Sequence, residues 1–152
     1  MNRFALALIA ASALVSVAQA KVIAVNPGPD AQEAIQIALL DAKPGDMVQL
    51  APGRYDLTDG LSLDINDVTV KGAGTEATVL SFKGQKGAGE GLLITSDRVT
   101  VRDLAVEDSR GDGIKSKGAD EISFINVRVE WTGGPNEKTA LTVSIPWHRP
   151  MS

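Results

Sequence analysis

The sequence predicts an all-β chain, a solenoid of short parallel strands closed at its N-terminal end by one short capping α-helix. Three observations carry this. The 152 residues are 43% hydrophobic but only 4% aromatic, with 15 glycines, so the core has to be built from Val, Leu, Ile and Ala between many tight turns. From Asp46 onward apolar residues recur with period two in short bursts separated by turn residues. The segments Arg98–Leu104 and Glu121–Val127 repeat each other, with Val99 and Ile122 standing 23 residues apart. An earlier copy, Asp67–Gly72, lies further upstream, beyond the Gly-rich insertion Gly84–Gly91. A period of roughly 20 to 25 residues suits strands that bury inward side chains only against neighbouring coils.

Taken in order, residues 1–20 read as a secretory signal. Arg3 gives a cationic start, Phe4 to Val17 an apolar run, and Ala18-Gln19-Ala20 a small-residue end, with cleavage expected after Ala20. The alternative, a membrane anchor, needs an apolar run of ~20 residues, longer than this one. The address is then periplasmic or secreted, with no membrane anchor after cleavage. Lys21 to Val25 is an extended lead and Asn26-Pro27-Gly28-Pro29 a turn. Asp30 is placed to cap a helix whose apolar positions are Ala31, Ala34, Ile35, Ala38 and Leu39, and Lys43-Pro44-Gly45 stops it. Residues 21–45 form the lead strand and capping helix. Residues 46–137 form the body of the solenoid, with bursts at Val48–Leu50, Tyr55–Leu57, Leu61–Ile65, Val68–Val70, Val79-Leu80, Leu92–Thr95, Val99–Val101, Ile122–Phe124 and Val127–Val129.

These residues resemble a known group. Ala34-Ile35-Gln36 through Pro44-Gly45-Asp46, then Ala51-Pro52-Gly53-Arg54-Tyr55, then Val68 to Gly74 with its Gly-x-Gly ending, is similar to the opening of pectate-lyase-like right-handed parallel β-helix proteins. The spacing is closest to uncharacterised exported bacterial β-helix repeat proteins, whose genes often adjoin one for a c-type cytochrome. The resemblance implies a right-handed single-stranded parallel β-helix, of which this chain carries the N-terminal part. It also implies a polysaccharide partner and a c-type cytochrome partner; the residues themselves identify no cofactor, and Ca²⁺ enters by the resemblance alone. The superfamily hosts lyases, epimerases, hydrolases and non-catalytic proteins, so fold alone assigns no activity.

Residues 138–152 depart from the repeat, with Pro146, Trp147, His148, Arg149 and Pro150 making no coil. Thr139 to Pro146 can be encoded by codons that, after one extra base, read Asn-Gly-Ala-Tyr-Gly-Leu-Tyr-Pro, which resembles a further coil. The tail is therefore expected to be the product of a one-base frameshift near Lys138, against the alternative of a naturally short chain.

The net charge is −4, and removing Arg3 with the leader takes it to about −5, which argues against a nucleic-acid partner. Cysteine is absent, which excludes disulfides, thiolate metal sites and a lipidated cysteine. His148 is the only histidine, which excludes a histidine metal cluster. Polyuronide lyases and epimerases need cations for the uronate carboxylate and a base for the C5 proton. The best local set is Asp103, Glu107, Asp108, Arg110, Asp112, Lys115 and Lys117, weighed as a uronate or Ca²⁺ site against solvated corner residues around Gly111 and Gly113. Trp131 could stack on a sugar ring or pack against a neighbouring coil. Asn126 suits a ladder of stacked turns, and Gly72-Ala73-Gly74 and Gly84–Gly91, lacking Gly-Lys-Ser/Thr, are turns and an insertion. The expected function is recognition of, or lyase- or epimerase-like action on, a polysaccharide. The alternatives are a non-catalytic periplasmic accessory protein and an inactive fragment.

Overall fold

The computed structural model describes residues 19–87 and 89–133. Apart from Gln19 and Ala20, the leader lies outside these residues, as do the tail 138–152 with His148 and the last residues of the expected body. The elements are β1 (Val22–Val25), α1 (Ala31–Asp41), β2 (Met47–Leu50), β3 (Gly53–Asp56), β4 (Leu61–Leu63) and β5 (Thr69–Lys71). They continue with β6 (Thr78–Ser81), β7 (Leu92–Ile94), β8 (Thr100–Glu107), β9 (Ile114–Ser116) and β10 (Ser123–Glu130). Every strand pair is parallel. Partners lie from 22 residues apart, as in Met47 with Thr69, to 31 apart, as in Leu61 with Leu92.

The class differs from the expected all-β right-handed single-stranded parallel β-helix solenoid with a capping helix. The molecule is mixed α/β: one helix and a parallel sheet curled into a half-barrel. Two features account for the correction. The burst Val99–Val101, expected as one short strand, runs on into the eight-residue β8, which pairs β5 through Thr100–Arg102 and β6 through Ala105–Glu107. That strand welds two rows into a single seven-stranded sheet ordered β1-β2-β5-β8-β6-β3, with β10 also on β8. The second feature is α1 itself, which buries Ala31, Ile35, Ala38 and Leu39 in the common core and touches β1, β3 and β4. It is a layer of the core, where the sequence suggested a lid. A separate three-stranded sheet has the order β4-β7-β9.

Period-two alternation decides what is buried. Val48, Val70 and Val101 stack in register with at most 2% exposure, and Tyr55, Leu80 and Val106 do the same further along. In the smaller sheet Leu61, Leu92 and Ile114 form the matching stack. The Tyr55 hydroxyl donates to the Val25 and Ala51 carbonyl oxygens, tying β1 to the turn before β3. In that Pro-Gly-x-Tyr turn, Gly53 has φ +145° and a Cβ there would sit 2.6 Å from Pro27 Cγ. The helix begins without the expected side-chain cap, since Asp30 makes none and its carbonyl oxygen accepts from Ala34 N–H instead. Among the described residues no helix is long and apolar enough to cross a membrane.

Candidate functional site

The outward positions of β2, β5 and β8 carry polar side chains in register, and β10 continues the rows with Ser123 and the exposed Ile125. Because the strands are parallel and in register, Met47, Thr69, Thr100 and Ser123 form one row and Gln49, Lys71, Arg102 and Ile125 a second. Neighbours in a row are about 4.8 Å apart, the spacing of hydrogen-bonded strands. Lys71 and Arg102 thus lie side by side, both half-buried, on adjacent strands. Among the described residues the Lys71 ammonium makes no hydrogen bond, though its charge, with that of Arg102, acts on the Asp103 carboxylate. Arg102 Nε donates to Asp103 Oδ2 at 2.7 Å.

Asp103 has φ +56°, a left-handed conformation that Asp and Asn tolerate best, and this breaks the alternation of β8 so that Arg102 and Asp103 both avoid the core. The equivalent residue of β10, Asn126, has φ +51° and donates its side-chain amide to Asp103 Oδ1 at 3.0 Å. That bond, followed by the Arg102 guanidinium, holds the Asp103 carboxyl below the usual range. Asn126 therefore does ladder one strand onto the next.

A second cluster lies where the same sheet curls. Asp56, Ser81, Glu107 and Glu130 share one register row, with Arg54 and Arg128 two residues earlier on their strands. Glu107, whose side chain is only 8% exposed, accepts from Arg54 Nη1 at 3.0 Å and Arg128 Nη1 at 3.1 Å. Arg54 Nη2 also donates to Ser81 Oγ, while Arg128 pairs with Glu130 and lies 3.4 Å from Glu76, too poorly aligned for a hydrogen bond from its buried Nε. Two guanidiniums serve four carboxylates here, so the cluster is a cross-strand clamp with no cation to spare for an anion.

The residues singled out in the sequence are dispersed. Asp103 belongs to the outer sheet face and Glu107 to the clamp. Asp108 accepts from the Thr132 N–H and hydroxyl, fixing a corner. Asp112 lies 3.7 Å from Lys115 Nζ, and Lys115 donates to Glu90 Oε1 at 2.7 Å. This bond lowers the Glu90 pKa and raises that of Lys115. Arg110 and Lys117 are exposed. Trp131 is half-buried and donates its indole N–H to the Ser109 carbonyl oxygen at 2.8 Å. Asp103, Asp108 and Asp112 each have other partners and make no common cage, so the donors present do not fit the Ca²⁺ that the resemblance implies; among the described residues no group of three or more Asp, Glu, His or Cys is placed to hold a metal.

Residue-by-residue reading overlooked Lys71, Arg102, Arg54, Arg128 and Glu90. For the first two a signal existed. Aligning the repeated segments Asp67–Gly72 and Arg98–Leu104 puts Lys71 and Arg102 at the same position. Glu90 is the one charged residue of the insertion's second half, and nothing local links it to Lys115.

Beside the Glu90–Lys115 pair a cleft of ≈ 200 Å³ opens over the three-stranded sheet, lined by Asp59, Gly60, Ser62, Gln85, Glu90 and Leu93 among others. Comparison with protein-family models and with curated proteins finds no match to this chain.

Proposed function

We propose that the protein is exported and recognises a polysaccharide along the outward face of β2, β5, β8 and β10, with polyuronides as the first class to test. The observation that supports this reading is the juxtaposed pair Lys71 and Arg102, flanked by Gln49, Thr69 and Thr100 in register. The Lys71 ammonium makes no hydrogen bond among the described residues, so it can donate to a ligand carboxylate even though it feels the Asp103 charge, and the neighbouring amide and hydroxyls can meet sugar hydroxyls. An extended, flat row of this kind suits a linear chain better than a compact ligand.

Binding without turnover is the reading of this face that its chemistry favours. Proton abstraction at C5 needs a base whose pKa lies near the working pH, whereas Asp103, the carboxylate of the face, is held below its ordinary value by Asn126 and Arg102. A non-catalytic accessory role, including service to a redox partner, is consistent with that. Titration with oligogalacturonate and oligoalginate tests the reading, with unsaturated-uronate absorbance followed in parallel. Lys71→Ala combined with Arg102→Ala is expected to weaken binding about tenfold or more. Equal affinity in the double variant would sink the assignment, and accumulation of unsaturated product would replace recognition with lyase action.

A further inference from the structure

The cleft beside Glu90 and Lys115 lies on a different sheet from the Lys71–Arg102 row and carries opposite chemistry. Both of its walls are built in advance. On one side, Gln85 is 2% exposed and fully engaged. Its amide nitrogen donates to the Gly89 and Glu90 carbonyl oxygens, and its Oε1 accepts from Arg110 N–H, which pins the Gly-rich insertion. On the other side, the Thr58 and Asp59 N–H groups donate to Gln32 Oε1 of α1, and the Gly60 N–H donates to Asp59 Oδ1 at 2.8 Å. The floor is on the outward row of the three-stranded sheet, where Ser62 and Leu93 stand in register and Lys115 continues the row beyond the lining.

The charges decide what fits. Glu90 presents a carboxylate whose Oε1 is occupied by Lys115, and Lys117 adds a longer-range attraction to the same group, but neither cation lines the cleft. Asp59 is exposed and, among the described residues, has no cationic partner. The lining is therefore electronegative, and a uronate carboxylate entering the cleft would face Asp59 and Glu90 with no cation in the lining to answer it. Two carboxylates with oxygens left over are good acceptors for paired sugar hydroxyls, and Leu93 offers an apolar contact for the less polar face of a ring. At ≈ 200 Å³ the cleft is smaller than the ~300–1,000 Å³ of drug-sized pockets, which limits it to a unit of about one ring.

We propose that this cleft is a subsite for one uncharged sugar unit, distinct from the cationic sheet face and selective against uronates. The proposal rests on the polysaccharide reading but is tested apart from it. Backbone amide shifts of the full chain are followed while cellotetraose, galactotetraose and oligogalacturonate are added separately. A neutral tetrasaccharide is expected to shift Gly60, Ser62 and Leu93, with Asp59→Asn, which retains an oxygen for the Gly60 N–H, weakening that response about tenfold. Leu93→Ala is expected to weaken it as well while leaving the Lys71 and Arg102 shifts from oligogalacturonate unchanged. Shifts of the cleft residues by oligogalacturonate, or no cleft response to either neutral probe, would overturn the subsite. Failure of oligogalacturonate to shift Lys71 and Arg102 would instead count against the sheet-face reading and leave the cleft standing.

Discussion

Glu107 shows how far a single residue's meaning depends on partners remote in sequence. Its carboxylate is 8% exposed and carries one guanidinium on each oxygen, from Arg54 and from Arg128. Replacing it with Gln keeps the shape but leaves two guanidiniums facing a neutral amide that can accept on one atom only. Glu107→Gln is expected to cost about 2 kcal/mol in urea unfolding at pH 7, in the range of hydrogen bonds to charged groups and below that of fully buried pairs, because both arginines are partly solvated. Asp56→Ala, which removes the 83% exposed partner of Arg54, is expected to change stability by less than about 0.5 kcal/mol. Equal effects of the two substitutions would show that burial does not set the strength of this clamp. From sequence, Glu107 could be placed only among its neighbours Asp103, Asp108 and Asp112, since charge and spacing mark a polar segment without saying which carboxylates turn toward which strand. Register supplies that, and register is a property of the assembled sheet.

At the level of elements, the helix and the strands were legible to different degrees. The apolar spacing of Ala31, Ile35, Ala38 and Leu39 marks a helix, and α1 occupies Ala31–Asp41. Its role was not legible, because the same amphipathic stripe serves a lid or a core layer. Likewise the alternation around Val99–Val101 marks a strand, while its fusion with Leu104–Glu107 through a left-handed Asp103 leaves little trace, as Asp is equally at home in a corner. That fusion is what turned separate rows into one curled sheet. The core role of α1 makes a sharp contrast on one helix. Ile35 is 1% exposed and Ile35→Ala is expected to cost about 2–4 kcal/mol, by lost burial plus the cavity left behind. Leu40 is 63% exposed, and Leu40→Ala is expected to stay within about 0.5 kcal/mol. Denaturant midpoints of the two variants, at unchanged m-value, decide this. A small effect at Ile35 would return the helix to a peripheral position.

Over the whole molecule, four carboxylates at separate points are held below their ordinary pKa: Asp46, Asp67, Glu90 and Asp103. The causes are local in each case. Asp46 accepts from the Lys21 and Lys43 backbone N–H groups at 2.8 and 2.9 Å, joining the entry of β1 to the end of α1, whereas Asp67 is held by Arg98, Glu90 by Lys115 and Asp103 by Asn126 and then Arg102. A carboxyl whose folded pKa lies below its unfolded value is protonated first in the unfolded chain. Its stabilisation is complete above the unfolded value, 3.8 for Asp and 4.5 for Glu, and is lost as pH falls through the lower folded value. With four groups acting in the same sense, stability is expected to be level near neutrality and to fall steadily below about pH 5. Asp46→Asn separates one contributor from the rest. The amide has a single acceptor oxygen for two N–H donors, so the variant is expected to be less stable than the parent at pH 7. Its deficit should narrow as pH drops below 3.8, where the parent's Asp46 protonates in the unfolded chain while the folded carboxyl stays ionised. Urea midpoints of both proteins measured from pH 7 to pH 3 provide the comparison, and two curves that stay parallel across that range would mean that the charge of Asp46 does not help to hold β1 to the helix end.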